Sequence, residues 1–202
     1  MKFTFLLGAC AVLLCPTDVS ANGSLWRTYY NAPISTFETN RWSVDSIDVQ
    51  IHPNARVHGG NANIVWTGKG TGNAASKISR IMQDATKLGA QKLQGRRKVG
   101  LDVVIHDFKS PTSRVRRMER TDLGVHHINF SISVMDLKSG GLLLPPTIIE
   151  ADLEALTGTF AKAFAAQRQD QKARVTQHLA SVVQGFLGQG PDPRREFFRY
   201  AQ

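Results

Sequence analysis

The chain has 202 residues, 42% of them hydrophobic and 20% charged, with 17 Gly and 8 Pro; this is the composition of a folded domain and excludes a disordered tail or a repeat fibre. Twenty-five Lys and Arg against 16 Asp and Glu give a net charge of +9, so the surface attracts anions. Both cysteines, Cys10 and Cys15, fall at the very start, which excludes a disulfide framework or a cysteine metal site in the body.

Residues 1–21 read as an export signal. Lys2 gives a positive start, and the apolar stretch Phe3 to Cys15 is shorter than the roughly 20 residues a membrane-spanning helix needs. Val19-Ser20-Ala21 supplies small residues at −3 and −1, predicting cleavage after Ala21. Leu7-Gly8-Ala9-Cys10 offers a competing reading, a lipobox in which Cys10 is lipidated and becomes the new N-terminus. Residues 22–42 form an aromatic-rich lead-in, with Trp26, Tyr29, Tyr30, Phe37 and Trp42 at irregular spacing and no helix or strand period. A single domain is expected over 43–188 and a flexible basic tail over 189–202. No later run is long and apolar enough for a transmembrane helix in the mature chain.

Within the domain, Ile47, Val49 and Ile51 alternate with polar residues, predicting a half-buried strand that ends at His52-Pro53-Asn54. Ile64-Val65-Trp66 suits a short edge strand. Ile78, Ile81, Met82, Ala85 and Leu88 recur at three and four residues, one stripe of a helix capped by Asn73 or Ser76 and ending at Gly95. Val99, Leu101, Val103 and Ile105 alternate in a second strand closed by Pro111. An arginine-rich connection runs to about Gly124, and Ile128, Phe130, Ile132 and Val134 then mark the most regular strand. Asp136 to Gly141 reads as a hairpin loop. The return strand, Leu142 to Leu153, carries Pro145-Pro146 and therefore lies at an edge or splits in two. A small-residue segment from Thr157 precedes a last helix from about Arg168, with Val175, Leu179, Val182, Val183 and Phe186 on one face and Gly188 as its stop. The order β-(β)-α-β-β-β-α predicts an α+β fold: two layers, a mainly antiparallel sheet of four to five strands, and two helices packed on one face.

Arg41-Trp42-Ser43-Val44, Ile64-Val65-Trp66, Leu101-Asp102-Val103, Gly124-Val125-His126-His127-Ile128-Asn129-Phe130, Ala151-Asp152-Leu153 and Gln171-Lys172-Ala173-Arg174-Val175-Thr176 with His178-Leu179 fall in order. As a set, over roughly 25 to 188, they resemble an uncharacterised family of exported Gram-negative envelope lipoproteins. The element order is also similar to that of the auxiliary lipoproteins of ABC-type transport systems and the amino-terminal domain of the Tol translocation protein. The resemblance implies an envelope protein and brings no catalytic residues.

The candidate chemistry is sparse. Gly68-Lys69-Gly70-Thr71-Gly72 precedes a helix but has neither phosphate-loop spacing. His126 and His127 are adjacent, so on a strand they face opposite sides, and His106 on the neighbouring strand is the residue that could approach one of them. Glu150 and Asp152, two apart on the return strand, would share a face. No catalytic motif, metal-ligand set or cofactor fingerprint is present, and no catalytic, metal or cofactor-binding residue is assigned. The strongest feature is charge: Arg96-Arg97-Lys98 before the second strand, and Arg114, Arg116, Arg117 and Arg120 after it, at its opposite end. The second group is the expected contact for an anionic surface or a partner.

These features point to an exported, non-catalytic accessory or scaffold protein of the cell envelope. It would sit in the periplasm or on a lipid anchor in the outer membrane, and bind an envelope protein partner or an anionic membrane surface rather than nucleic acid. The alternative is a periplasmic small-ligand-binding protein; a hydrolase ranks third.

Overall fold

A computed structural model describes residues 34–57, 61–68, 72–118, 124–166 and 170–194. The elements are α1 (Thr36–Thr39), β1 (Trp42–Ile51), β2 (Ile64–Val65), α2 (Ala74–Gly89), β3 (Arg97–Lys109), α3 (Ser113–Arg117), β4 (Val125–Asp136), β5 (Leu142–Glu150), β6 (Leu153–Glu154), α4 (Gly158–Ala166) and α5 (Gln171–Phe186). The main path of the sheet runs β1-β3-β4-β5; β2 pairs with β3 and β6 with β4. The fold is α+β, with an open sheet packed by helices on one face.

The strands obey the alternation of their sequences. Val99, Leu101, Val103 and Ile105 of β3 and Ile128, Phe130, Ile132 and Val134 of β4 all point to the helical side and are at most 1% exposed. A register shift between Ile105 and Asp107 inserts one extra residue and returns Phe108 to the buried face, as a β-bulge does. β3 pairs antiparallel with β4, and β4 with β5. The β1–β3 pair is parallel, because α2 carries the chain across between them. Pro145 and Pro146 lie in β5, the edge strand, where missing ladder donors are tolerated. The hairpin turns on Asp136, whose Oδ1 accepts from the Lys138 and Ser139 amides at 2.7 and 3.1 Å.

Two long helices cover the sheet. Asn73 caps α2 by accepting from the Ser76 amide at 2.8 Å, and Asp170 caps α5 through the Ala173 amide at 2.9 Å. Ile78, Ile81, Met82 and Ala85 of α2 meet Val175, Leu179, Val182, Val183 and Phe186 of α5 in one core. The two axes approach closely at Gly89, where an added Cβ would stand 2.6 Å from the Ala180 carbonyl oxygen and 2.8 Å from Val183 Cβ. Gly89 is thus a packing requirement of the helix pair. Gly188 leaves α5 at φ +67, as expected.

Several expectations change. α2 ends at Gly89, not Gly95; Gly95 is small because the Arg41 backbone passes through the place its Cβ would take. Leu88 is 49% exposed and outside the core stripe. The arginine-rich connection holds the short helix α3, and the small-residue segment forms α4. Neither carries a polar–apolar period long enough to be read.

Candidate functional site at the basic end of the sheet

β4 opens with two adjacent histidines that alternate across the sheet, as their spacing requires. His127 is half-exposed, with Nδ1 2.8 Å from Asp152 Oδ2, while Asp152 Oδ1 accepts from the Ile128 amide at 2.9 Å. Asp152 is therefore occupied in closing the start of β4. It lies between β5 and β6, so Glu150 and Asp152 do not sit together on one strand. His106 approaches neither His126 nor His127; its Nε2 is 3.0 Å from Ser131 Oγ, and its ring centroid lies 5.0 Å from that of His52 on the open face of the sheet.

His126 points into the core and is 1% exposed. Its ring stacks beside Trp66, with centroids 6.2 Å apart and planes at 30°, and its Nε2 lies 3.1 Å from Gln171 Nε2 at the start of α5. Turning the Gln171 amide over would exchange donor and acceptor there. In either arrangement His126 Nδ1 is buried without a hydrogen-bond partner, and the same holds for Trp66 Nε1. Burial first, then the charges of Arg174 and Arg116 and the neighbouring His178, lower the His126 pKa to about 4. The ring is neutral at physiological pH.

The expected arginine group lies at this same end. Thr112 Oγ1 accepts from the Val115 amide at 3.3 Å and starts α3. Arg114 and Arg117, three residues apart, share one side of that turn; both are exposed, and neither has an ion-pair partner among the described residues. Arg116 differs, donating from Nη1 to the Thr67 carbonyl at 2.9 Å and tying α3 to the segment after β2. Arg120, Cys10 and Ala21 lie outside the described residues, as do Lys69, Gly70 and Thr71 of the glycine loop. The other basic group is at the far end of β3, where Arg97 Nε meets Asp136 Oδ2 at 2.6 Å and Lys98 meets Asp45 at 3.2 Å. The two groups do not form one patch.

A cleft of about 430 Å³ opens beside α5, walled by Leu153 of β6, Pro193, and Ala173, Arg174, Gln177, His178 and Ser181 of α5. Burial pushes the Arg174 guanidinium below its ordinary range, partly offset by Glu154. Its hydrogen bond runs from Nη2 to the Glu154 carbonyl at 3.5 Å. His178 is lowered by burial; hydrogen bonds to the Ala151 and Asp152 carbonyls push it the other way, Arg174 lowers it, and Asp192 raises it. Its Nε2 is buried and unpartnered. A shallower groove of about 660 Å³ runs between α2 and α5, with Asp84, Lys87, Asp170 and Lys172 among its lining residues. Among the described residues no three His, Cys, Asp or Glu side chains gather as metal ligands. No helix among them is long and apolar enough to cross a membrane.

The sequence pattern marks Arg116 but gives no role to Arg174, Gln171 or His178. Arg174, Gln177, His178 and Ser181 recur at helical spacing opposite the apolar stripe of α5, a signal indistinguishable from an ordinary solvated helix face.

No functionally curated protein matches the chain. Among solved structures it is similar to a candidate lipoprotein from Caulobacter crescentus CB15, at 14% identity over 75% of this chain and 92% of that one, with a TM-score of 0.38. It is similar to the PelC dodecamer from Paraburkholderia phytofirmans, at 9% identity over 79% and 92% of the chains and a TM-score of 0.36. A Xanthomonas campestris protein of family DUF330 matches at 13% identity over 73% of this chain and 78% of that one, TM-score 0.36. A family model matches residues 42–202, and by that match the chain belongs to DUF6778, a family of unknown function.

Proposed function

We propose that the protein is an exported, non-catalytic accessory protein of the cell envelope that docks on an anionic surface through α3. The export reading comes from the apolar run Phe3 to Cys15 and the Val19-Ser20-Ala21 site, with Cys10 as the alternative point of lipid attachment in the outer membrane. The resemblance to envelope lipoproteins supports the same compartment. The observation that carries the docking reading is the pair Arg114 and Arg117: exposed, on one side of a capped turn, and without ion pairs among the described residues. Both keep their bidentate donors available for phosphate or carboxylate.

Vesicle sedimentation tests this, with phosphatidylglycerol-containing and neutral vesicles compared. Each basic residue near an anionic membrane contributes about 1 kcal/mol, so Arg114→Ser with Arg117→Ser should weaken binding about thirty-fold. Added salt should weaken wild-type binding further. Arg116 is left intact because it holds α3 to Thr67. Equal binding by wild type and variant removes the role of α3. Absence of wild-type binding removes the membrane and leaves an acidic envelope protein as the partner, for which the same variant serves in pull-downs.

A further inference from the structure

The cleft beside α5 holds a positive charge that has no ion-pair partner among the described residues. Arg174 is half-buried, and no carboxylate of the described residues forms an ion pair with it. The two carboxylates that act on the site from outside are otherwise placed. Glu154 is exposed; its charge favours the Arg174 cation from a distance, but the hydrogen bond it offers is from its backbone carbonyl. Asp192 is held by Arg194, whose Nε lies 2.9 Å from each of its carboxylate oxygens. A guanidinium taken partly out of water without a counter-charge is costly, and proteins meet that cost with a pair or a ligand.

What surrounds Arg174 is the composition of a small-ligand site. Leu153 and Pro193 form apolar walls, Gln177 and Ser181 present polar groups one and two turns on, and the volume of about 430 Å³ is within the range of ligand clefts. His178, one turn after Arg174, keeps a buried Nε2 with no partner; neutral, that nitrogen is an acceptor, and on protonation it becomes a second charged donor. We propose that this cleft binds a small ligand through a phosphate or carboxylate head held by Arg174, with the His178 ring beside it and the apolar part of the ligand against Leu153 and Pro193. The site is separate from the docking side chains of α3 and does not require them.

Occupancy has a consequence for the imidazole. The groups acting on His178 are Arg174 on its own helix, His126 from β4, Asp192 after α5, and the carbonyls of Ala151 and Asp152. An anion on Arg174 cancels the largest nearby positive charge, so His178 should bind its proton more readily when the cleft is filled. By linkage, the anion should bind more tightly as pH falls.

The experiment is proton–carbon NMR of the histidine rings in the intact protein, titrated with inorganic phosphate, with sodium acetate, and with sodium chloride at matched ionic strength. The expected result is a saturable shift of the His178 ring with phosphate or acetate, at an affinity of about 1 mM or tighter, and a raised His178 midpoint. Chloride should leave both unchanged, and His127, engaged with Asp152, serves as the internal control. Arg174→Gln should abolish the saturable response, while Arg114→Ser with Arg117→Ser should retain it. Adding phosphatidylglycerol vesicles to that double variant separates the sources: a His178 shift there assigns the site to a lipid headgroup, and a shift with free anion alone assigns it to a soluble ligand. The wild-type titration needs no variant to decide the matter. No saturable response to either anion, a response that survives Arg174→Gln, or one lost with the α3 pair overturns the proposal.

Discussion

Acidification should destabilise this protein, in a measurable part through one buried side chain, His126. Its pKa is lowered from 6.5 to about 4 in the folded state, first by burial and then by Arg174, Arg116 and His178. The unfolded chain therefore takes up the proton first as pH falls, and stability drops across the window from about 6.5 down to about 4, levelling off below it. Each pH unit between the unfolded and folded midpoints is worth about 1.4 kcal/mol, so the full loss is about 3 kcal/mol, and about 2.5 kcal/mol of it should be gone by pH 4.5. That is a large share of a typical domain's stability of about 5–15 kcal/mol. His178 and His106 are lowered as well and act with the same sign. The comparison that isolates His126 is His126→Phe, which keeps a ring beside Trp66 and cannot titrate. Urea unfolding at pH 7.5 and pH 4.5 should show wild type losing about 2.5 kcal/mol more than the variant between the two conditions. Titrating groups remote from His126 are common to both proteins and cancel in that difference, while His178, which acts on His126, is followed separately by its own ring resonance. At pH 7.5 loss of the Gln171 contact and removal of the unpartnered Nδ1 oppose each other, so the variant should lie within about 1 kcal/mol of wild type. Equal pH slopes for the two proteins would refute the reasoning, as would a His126 ring resonance titrating near 6.5.

Phe130, fully buried at the centre of β4, should cost about 3–5 kcal/mol when replaced by Ala; a loss under about 1 kcal/mol in urea unfolding would contradict its burial. Gly89→Ala should destabilise by about 1–3 kcal/mol despite alanine's better helix propensity, because its Cβ meets the Ala180 carbonyl at 2.6 Å and α2 must move off α5. A gain in melting temperature would show that the helices have room to part. Intact-mass analysis of protein from the native envelope should give an unmodified chain beginning at Asn22; a diacylglyceryl mass on Cys10 would instead establish lipid anchoring.

The elements with a strict local period were legible in the sequence. Val99 to Ile105 and Ile128 to Val134 alternate because each strand has one face against the helices, and Ile78 to Ala85 and Val175 to Phe186 repeat at helical spacing for the same reason. From those patterns follow the two layers and the opposite faces of His126 and His127. Pro145-Pro146 predicts a return strand at an edge or split in two, of which the fold shows the edge position of β5. The short helices α3 and α4 escaped because five and nine residues hold too few turns for a stripe to show. The parallel pairing of β1 with β3 depends on where α2 returns the chain, which alternation does not encode. The arginines of α3 were visible as charge, but only the fold distinguishes Arg116, tied to the Thr67 carbonyl, from the exposed Arg114 and Arg117. Arg174 and His178 looked like any polar helix face. Burial by β6 and the segment at Pro193 turns them into a guanidinium without an ion pair beside an imidazole with one unpartnered nitrogen. A side chain's type is local, whereas its solvation and its neighbours' charges are set by segments that meet only in the folded state.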